Sequence, residues 1–122
     1  MIDKLIFENI PKLSANKAYA PHWGVRAGAK KKFADAINAQ IKNFDTDIPI
    51  PYMVRELHFE FYWKSHPLDS TNCFPMIKMI EDIIMVEDNI DNVQRISVAS
   101  NKSPKDKPMD WVVVEIIWEM PF

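Results

Sequence analysis

Met53-Val54-Arg55-Glu56-Leu57-His58-Phe59-Glu60-Phe61-Tyr62-Trp63 decides the fold, because apolar residues recur in it at every second position. Leu57, Phe59, Phe61 and Trp63 form one row; Glu56, His58, Glu60 and Tyr62 form the other. Successive side chains of a strand point to opposite faces, so residues 53–63 are predicted as a half-buried strand. Upstream, Pro49 and Pro51 block helix continuation and make Asp45 to Pro51 a loop. Before that loop, Phe33, Ile37, Ile41 and Phe44 recur at helical spacing and predict a helix over 29–43. Residues 11–28 read as a long, basic loop holding Tyr19, His22 and Trp23, and such loops in small domains are often functional. Residues 2–8 read as a first strand with Ile2, Leu5 and Phe7 as its apolar members.

Downstream, the chain turns through Ser65-His66-Pro67 into a predicted helix over 72–85. Pro75 is tolerated in its first turn, and Thr71 or Asn72 is placed to cap it. Strands are predicted over 93–99 and 110–118, the second presenting Val112, Val114, Ile116 and Trp118 on one face. Lys102 to Pro108 reads as a polar hairpin loop between them. The order β-α-β-α-β-β predicts an α+β fold: a mixed sheet with two helices packed on it.

At 122 residues the chain is expected to form one domain, residues 1–122, and at 48% apolar it can bury a core. The formal net charge is −2, so any nucleic-acid contact must come from a local patch. Cys73 is the one cysteine, which excludes an internal disulfide and a Cys-rich zinc site and fits a reducing, cytoplasmic setting. No signal peptide is read at the N-terminus, and no apolar run approaches the ~20 residues of a membrane span.

Two segments of opposite charge carry the candidate chemistry. Between Asp69 and Asp91 there are six carboxylates and one cation, Lys78. Converging carboxylates repel one another unless a metal ion or cationic ligand neutralises them. If Asp69 and Asp88 met at one edge of the sheet, they could hold a Mg²⁺, with Lys78 supporting a leaving group or a water. The simpler alternative is that Lys78 and Asp82 form a surface i,i+4 pair and Glu87-Asp88-Asn89 a solvated turn; spacing alone favours it. From Ile10 to Lys32 there are six Lys or Arg residues and no acid. Lys30, Lys31 and Lys32 are read as the opening of the first helix, where they oppose its dipole and where a phosphate would relieve the conflict. Tyr19, His22 and Trp23 could stack on exposed bases. The alternative is a solvated charge run with aromatics tucked beneath. The three histidines show no ligand spacing, and His58 falls on the strand face opposite the apolar row.

In order and coverage these motifs resemble the RusA-type Holliday junction resolvases. Pro11-Lys12-Leu13-Ser14-Ala15-Asn16-Lys17-Ala18-Tyr19 is similar to that family's Pro-Ser-x-Asn-x-x-Tyr segment. Asp69-Ser70-Thr71-Asn72 and Lys78-Met79-Ile80-Glu81-Asp82 match its Asp-x-Asp-Asn and Lys-x-x-x-Asp signature, and Glu87-Asp88 its later acidic pair. The second Asp of the signature is Thr71 here, one carboxylate fewer. The resemblance implies Asp69 and Asp88 as Mg²⁺ ligands, Lys78 as the catalytic lysine, and Thr71, Asn72, Asp82 and Glu87 as supporting residues. It further implies a homodimer cutting four-way DNA junctions, bound through Lys12, Asn16, Lys17, Tyr19, Arg26, Lys30, Lys31 and Lys32. No membrane and no small-molecule substrate are expected. Two rivals stand beside this expectation: a junction-binding protein that has lost cleavage through Thr71, and a small interaction protein without enzymatic activity.

Overall fold

The structure, a computed structural model, describes residues 2–41, 54–84 and 93–118. The decisive stretch is strand β2 (Val54–Trp63), and it lies inside a four-stranded mixed sheet of order β1-β4-β2-β3. β1 (Ile2–Glu8) and β2 both run antiparallel to β4 (Trp111–Trp118), while β2 runs parallel to β3 (Arg95–Lys102). β4 is therefore the one reversed strand. The α+β class holds, with three α-helices among the described residues rather than two: α1 (Ala15–Ala18), α2 (Trp23–Ile41) and α3 (Phe74–Ile84).

Leu57, Phe59, Phe61 and Trp63 are all buried, as their alternation predicts. Phe61 stacks on Phe59 at 6.3 Å and on Trp63 at 5.7 Å between ring centroids. Leu5 and Phe7 of β1 and Val112, Val114 and Ile116 of β4 continue this layer. Phe33 and Ile37 from α2, and Met76, Ile77, Ile80 and Ile84 from α3, close over it. Burying each such side chain stabilises the fold by about 1.5–3 kcal/mol, which is the force that holds helices to sheet. Ile2 departs from expectation: it faces the uncovered side of the sheet with Ile6, and both are exposed.

Three local readings are corrected. The predicted loop 11–28 contains α1 and the start of α2, which begins at Trp23 instead of 29. No residue from 23 to 32 is buried, so apolar spacing could not reveal this part of the helix. Alanine propensity sustains it despite Gly24 and Gly28, and the N–H groups of Val25 and Arg26 close its first turn on the His22 carbonyl. Lys30 to Lys32 consequently sit in mid-helix, where there is neither a dipole conflict nor a free N–H.

The second correction concerns β3 and β4, which form no hairpin: β2 lies between them. Residues 103–110 instead cross the end of β2, pinned by Ser103 N–H to the Trp63 carbonyl (2.8 Å) and Lys64 N–H to Asp110 Oδ1 (2.8 Å). The polar composition of a crossing and of a hairpin is the same. The third is the entry to α3, a 3-10 turn over Ser70–Cys73 with Asp69 at its N-cap position and no side-chain cap; neither Thr71 nor Asn72 caps.

This topology gathers the ends of β1, β2 and β3 and the start of β4 at one end of the sheet. Asn9 turns there in the left-handed region (φ 51°), which Asn tolerates better than most residues. Lys12, Asp69 and Cys73 assemble at this end.

Candidate nucleic-acid interface

Short helix α1 places the first lysines. Ser14 caps it by accepting a hydrogen bond from the Lys17 N–H (3.3 Å), and Ala18 is buried beneath it. Lys12, Lys17 and Lys32 then line one cavity of about 120 Å³ with Pro11, Leu13 and Ala29, and no carboxylate lines it. Three of the expected phosphate-binding residues are thus brought together. Lys12 is anchored: its ammonium donates to the His66 carbonyl and lies 5.2 Å from the centroid of the Trp63 ring. Lys30 stands 5.7 Å over the Tyr19 ring, and Tyr19 and Trp23 are 68% and 71% exposed. Exposed aromatics beside lysines suit base stacking. Asn16 is exposed on α1 and Arg26 half-buried on α2, while Lys31 is paired with Asp35 (2.8 Å).

The acidic segment divides. Asp69 is exposed, and its carbonyl accepts from Asn72 N–H (2.8 Å) and the Cys73 thiol (3.7 Å). Burial pushes the Cys73 thiol up to about 11, with Asp69 adding to that rise and Lys12 opposing it. The thiol is thus the reverse of an activated nucleophile. Lys12 reaches the same end of the sheet through the His66 carbonyl, three residues before Asp69. Thr71 is exposed and Asn72 half-buried in the same 3-10 turn. Lys78 and Asp82 pair across one turn of α3 at 3.1 Å, both exposed, as the i,i+4 spacing requires. The hydrogen bond and charge of Asp82 hold the Lys78 ammonium pKa up. An exposed pair of this kind contributes a few tenths of a kcal/mol at most. No hydrogen bond or ion pair among the described residues joins Lys78 to Asp69.

Glu87 and Asp88 lie outside the described residues. The 11 residues of α3 span ~16 Å between Asp69's turn and Ile84. Among the described residues no group of three or more His, Cys, Asp or Glu is placed to hold a metal.

Comparison with protein-family models, curated proteins and solved structures finds no match. What the chain can do is therefore set by its own residues. No helix among the described residues is long and apolar enough to cross a membrane.

Glu81 was not anticipated. It is the one buried charged residue among those described, 5% exposed, and it makes no hydrogen bond or ion pair with a described residue. The signal was present, since Glu81 falls at helical spacing with Ile77 and Ile84 on the inward side of α3. Desolvation raises its carboxyl pKa, partly offset by Lys78. The folded pKa exceeds the unfolded one, so the contribution to stability is complete below the ordinary carboxylate pKa. It is lost as pH rises through the raised value. At low protein concentration, Glu81→Gln is expected to be more stable than the parent at pH 7 and no more stable at pH 3.5. Urea denaturation at both pH values measures this, and equal midpoints at pH 7 would remove Glu81 from the interior.

The uncovered face of the sheet is a poor place for DNA. Glu56, Glu60 and Glu115 lie there around His58, which bonds Ser97 as a surface residue would. Lys4–Glu115 (3.8 Å) and Arg95–Glu56 (3.5 Å) partly balance these acids.

Proposed function

We propose that the chain is a RusA-like, Mg²⁺-dependent endodeoxyribonuclease that resolves four-way DNA junctions. It would work as a homodimer in the cytoplasm of a bacterium or of a phage-infected host. The observation that carries the reading is the acid-free cavity of Lys12, Lys17 and Lys32, with Lys12 bonded to the His66 carbonyl three residues before Asp69. Phosphate-binding cations and an exposed carboxylate without a hydrogen-bond partner among the described residues thereby share one edge. Lys78 and Asp82, paired on an exposed face of α3, keep the spacing of the signature that carries the resemblance.

Mg²⁺ keeps several waters and takes one or two carboxylates, and Asp69 with the Thr71 hydroxyl suits such a hydrated ion, Asp88 being assigned as the second carboxylate. When bound, the ion supplies charge neutralisation and a more acidic water. The protein's own share is to hold the phosphodiester on the lysines, to stack unpaired bases on Tyr19 and Trp23, and to keep Asp69 free. Lys78 would act toward the scissile phosphate from α3.

A second reading, junction binding without cleavage, is favoured by one observation: no three His, Cys, Asp or Glu among the described residues are placed to hold a metal, and Thr71 stands where the resemblance expects a second Asp. Both are tested with a labelled four-way junction, Mg²⁺ or EDTA, and Asp69→Asn and Asp88→Asn. Symmetric metal-dependent nicks lost in both variants are expected. Salt-sensitive binding without nicks would establish the second reading. Absence of binding at low salt would remove both.

A further inference from the structure

We propose that the outer edge of β3 pairs antiparallel with β3 of a second copy of this chain, about a two-fold axis through Val98. Among the described residues β3 is an edge strand, eight residues long. From Ile96 to Asn101 it carries six successive uncharged residues without Pro or Gly. Edges are usually guarded by charge or Pro, because an open row of N–H and C=O groups recruits another strand. The other edge, β1, is guarded by Asp3, Lys4 and Glu8. Beside the β3 edge runs a groove of about 270 Å³ formed by Phe74, Ile77, Lys78, Glu81, Ile96 and Val98. Phe74 and Ile96 are 55% and 43% exposed.

The register follows from the faces. Ile96, Val98 and Ser100 stand beside Leu57, Phe59 and Phe61 and so share the helix-covered face; Arg95, Ser97, Ala99 and Asn101 share the other. A one-residue slip would exchange the faces, so only residues of the same parity can stand opposite one another, and the axis must pass through a residue. With the axis at Val98, Ile96 meets Ser100, Arg95 meets Asn101, and no like charges oppose. An axis at Ala99 sets Ile96 against Lys102. One at Ser97 leaves Ser100 to Lys102 beyond the other strand.

Gln94 N–H bonds the Arg55 carbonyl at 2.7 Å, so even-numbered residues bond toward β2 and odd-numbered ones point their amides outward. Val98 then faces its equivalent as a non-hydrogen-bonded pair, with Cα atoms about 4.5 Å apart. The same rotation turns each groove toward the other and sets the exposed Phe74 and Ile96 at the seam. A segment that matches itself in one register has the self-complementarity that a two-fold interface requires. This interface goes beyond the nuclease reading and stands whether or not the chain cuts DNA.

The test uses the full chain and no DNA. Sedimentation equilibrium is expected to give twice the chain mass. Val98→Cys under mild oxidation is expected to become a covalent dimer on a non-reducing gel, since 4.5 Å lies within disulfide reach; native Cys73 is buried and takes no part. Ala99→Pro removes only an outward amide and is expected to give a monomer with unchanged circular dichroism. Should that variant lose its fold, the Val98→Cys cross-link decides. A monomeric parent, a folded Ala99→Pro that stays dimeric, or a dimer in which Val98→Cys does not cross-link each overturns the proposal.

Discussion

Replacing Lys12, Lys17 and Lys32 together by Glu is expected to lower affinity for a four-way junction by two to three orders of magnitude at ~0.1 M salt. Each phosphate contact contributes about 0.9 to the slope of log affinity against log salt, so three contribute about 2.7. That factor is about 500 between 1 M and 0.1 M, and reversing the charges deepens the loss. Fluorescence anisotropy across a KCl series reads both quantities: the variant should bind weakly and with a shallower slope. Lys4→Glu, on the acidic uncovered face, is the control and should leave the slope unchanged. Because Lys12 also lies over Trp63, circular dichroism must show the triple variant folded. A parental slope in a folded variant would move DNA binding away from α1 and α2.

Trp63→Ala is expected to destabilise the subunit by about 3–5 kcal/mol, the cost of a large aromatic cavity. The expected fall in Tm is about 10 °C or more. Trp63 is fully buried, donates its indole N–H to Ser100 Oγ at 3.0 Å, and ends the stacked row begun at Phe59. It also stands where the sheet, the crossing connection and the Lys12 loop converge, through its carbonyl to Ser103 and its ring to Lys12. Trp63→Phe retains the stacking and should lose much less. Denaturant unfolding of both variants checks the ranking. A loss below ~1.5 kcal/mol for Trp63→Ala would mean the site collapses around the gap.

How much could be read in advance follows from what makes each element. β2 was legible because period-2 alternation is a direct imprint of one buried face, and α3 because Met76, Ile77, Ile80 and Ile84 imprint one buried side. None of the first ten residues of α2 is fully buried, so they leave no apolar imprint. The partnership of β3 with β2 rather than β4 was hidden, since strand order depends on which faces meet across the whole sheet. For the candidate site, the spacing of Lys78 and Asp82 implied their pairing. It could not show that Lys12, Lys17 and Lys32 would meet in one cavity, because a four-residue helix such as α1 is too short to leave a periodic pattern. Glu81 was legible and overlooked: its place in an apolar row conflicts with its charge. Such conflicts between local pattern and global fold collect at functional or strained positions.

β4 as the one reversed strand, lying between β1 and β2, has a consequence for the timing of synthesis. Leu5 and Val114 stand opposite each other although more than a hundred residues separate them along the chain. At ribosomal rates of ~5–20 residues per second, β1 waits roughly 5–20 s for the strand that completes its pairing. Until then β1 and one side of β2 are open edges, and the apolar row of Leu57, Phe59, Phe61 and Trp63 has no neighbour from β4. The half-made chain is therefore its most adhesive form, and a chaperone that shelters β2 for those seconds would raise the yield of folded protein more than any stabilisation of the finished sheet.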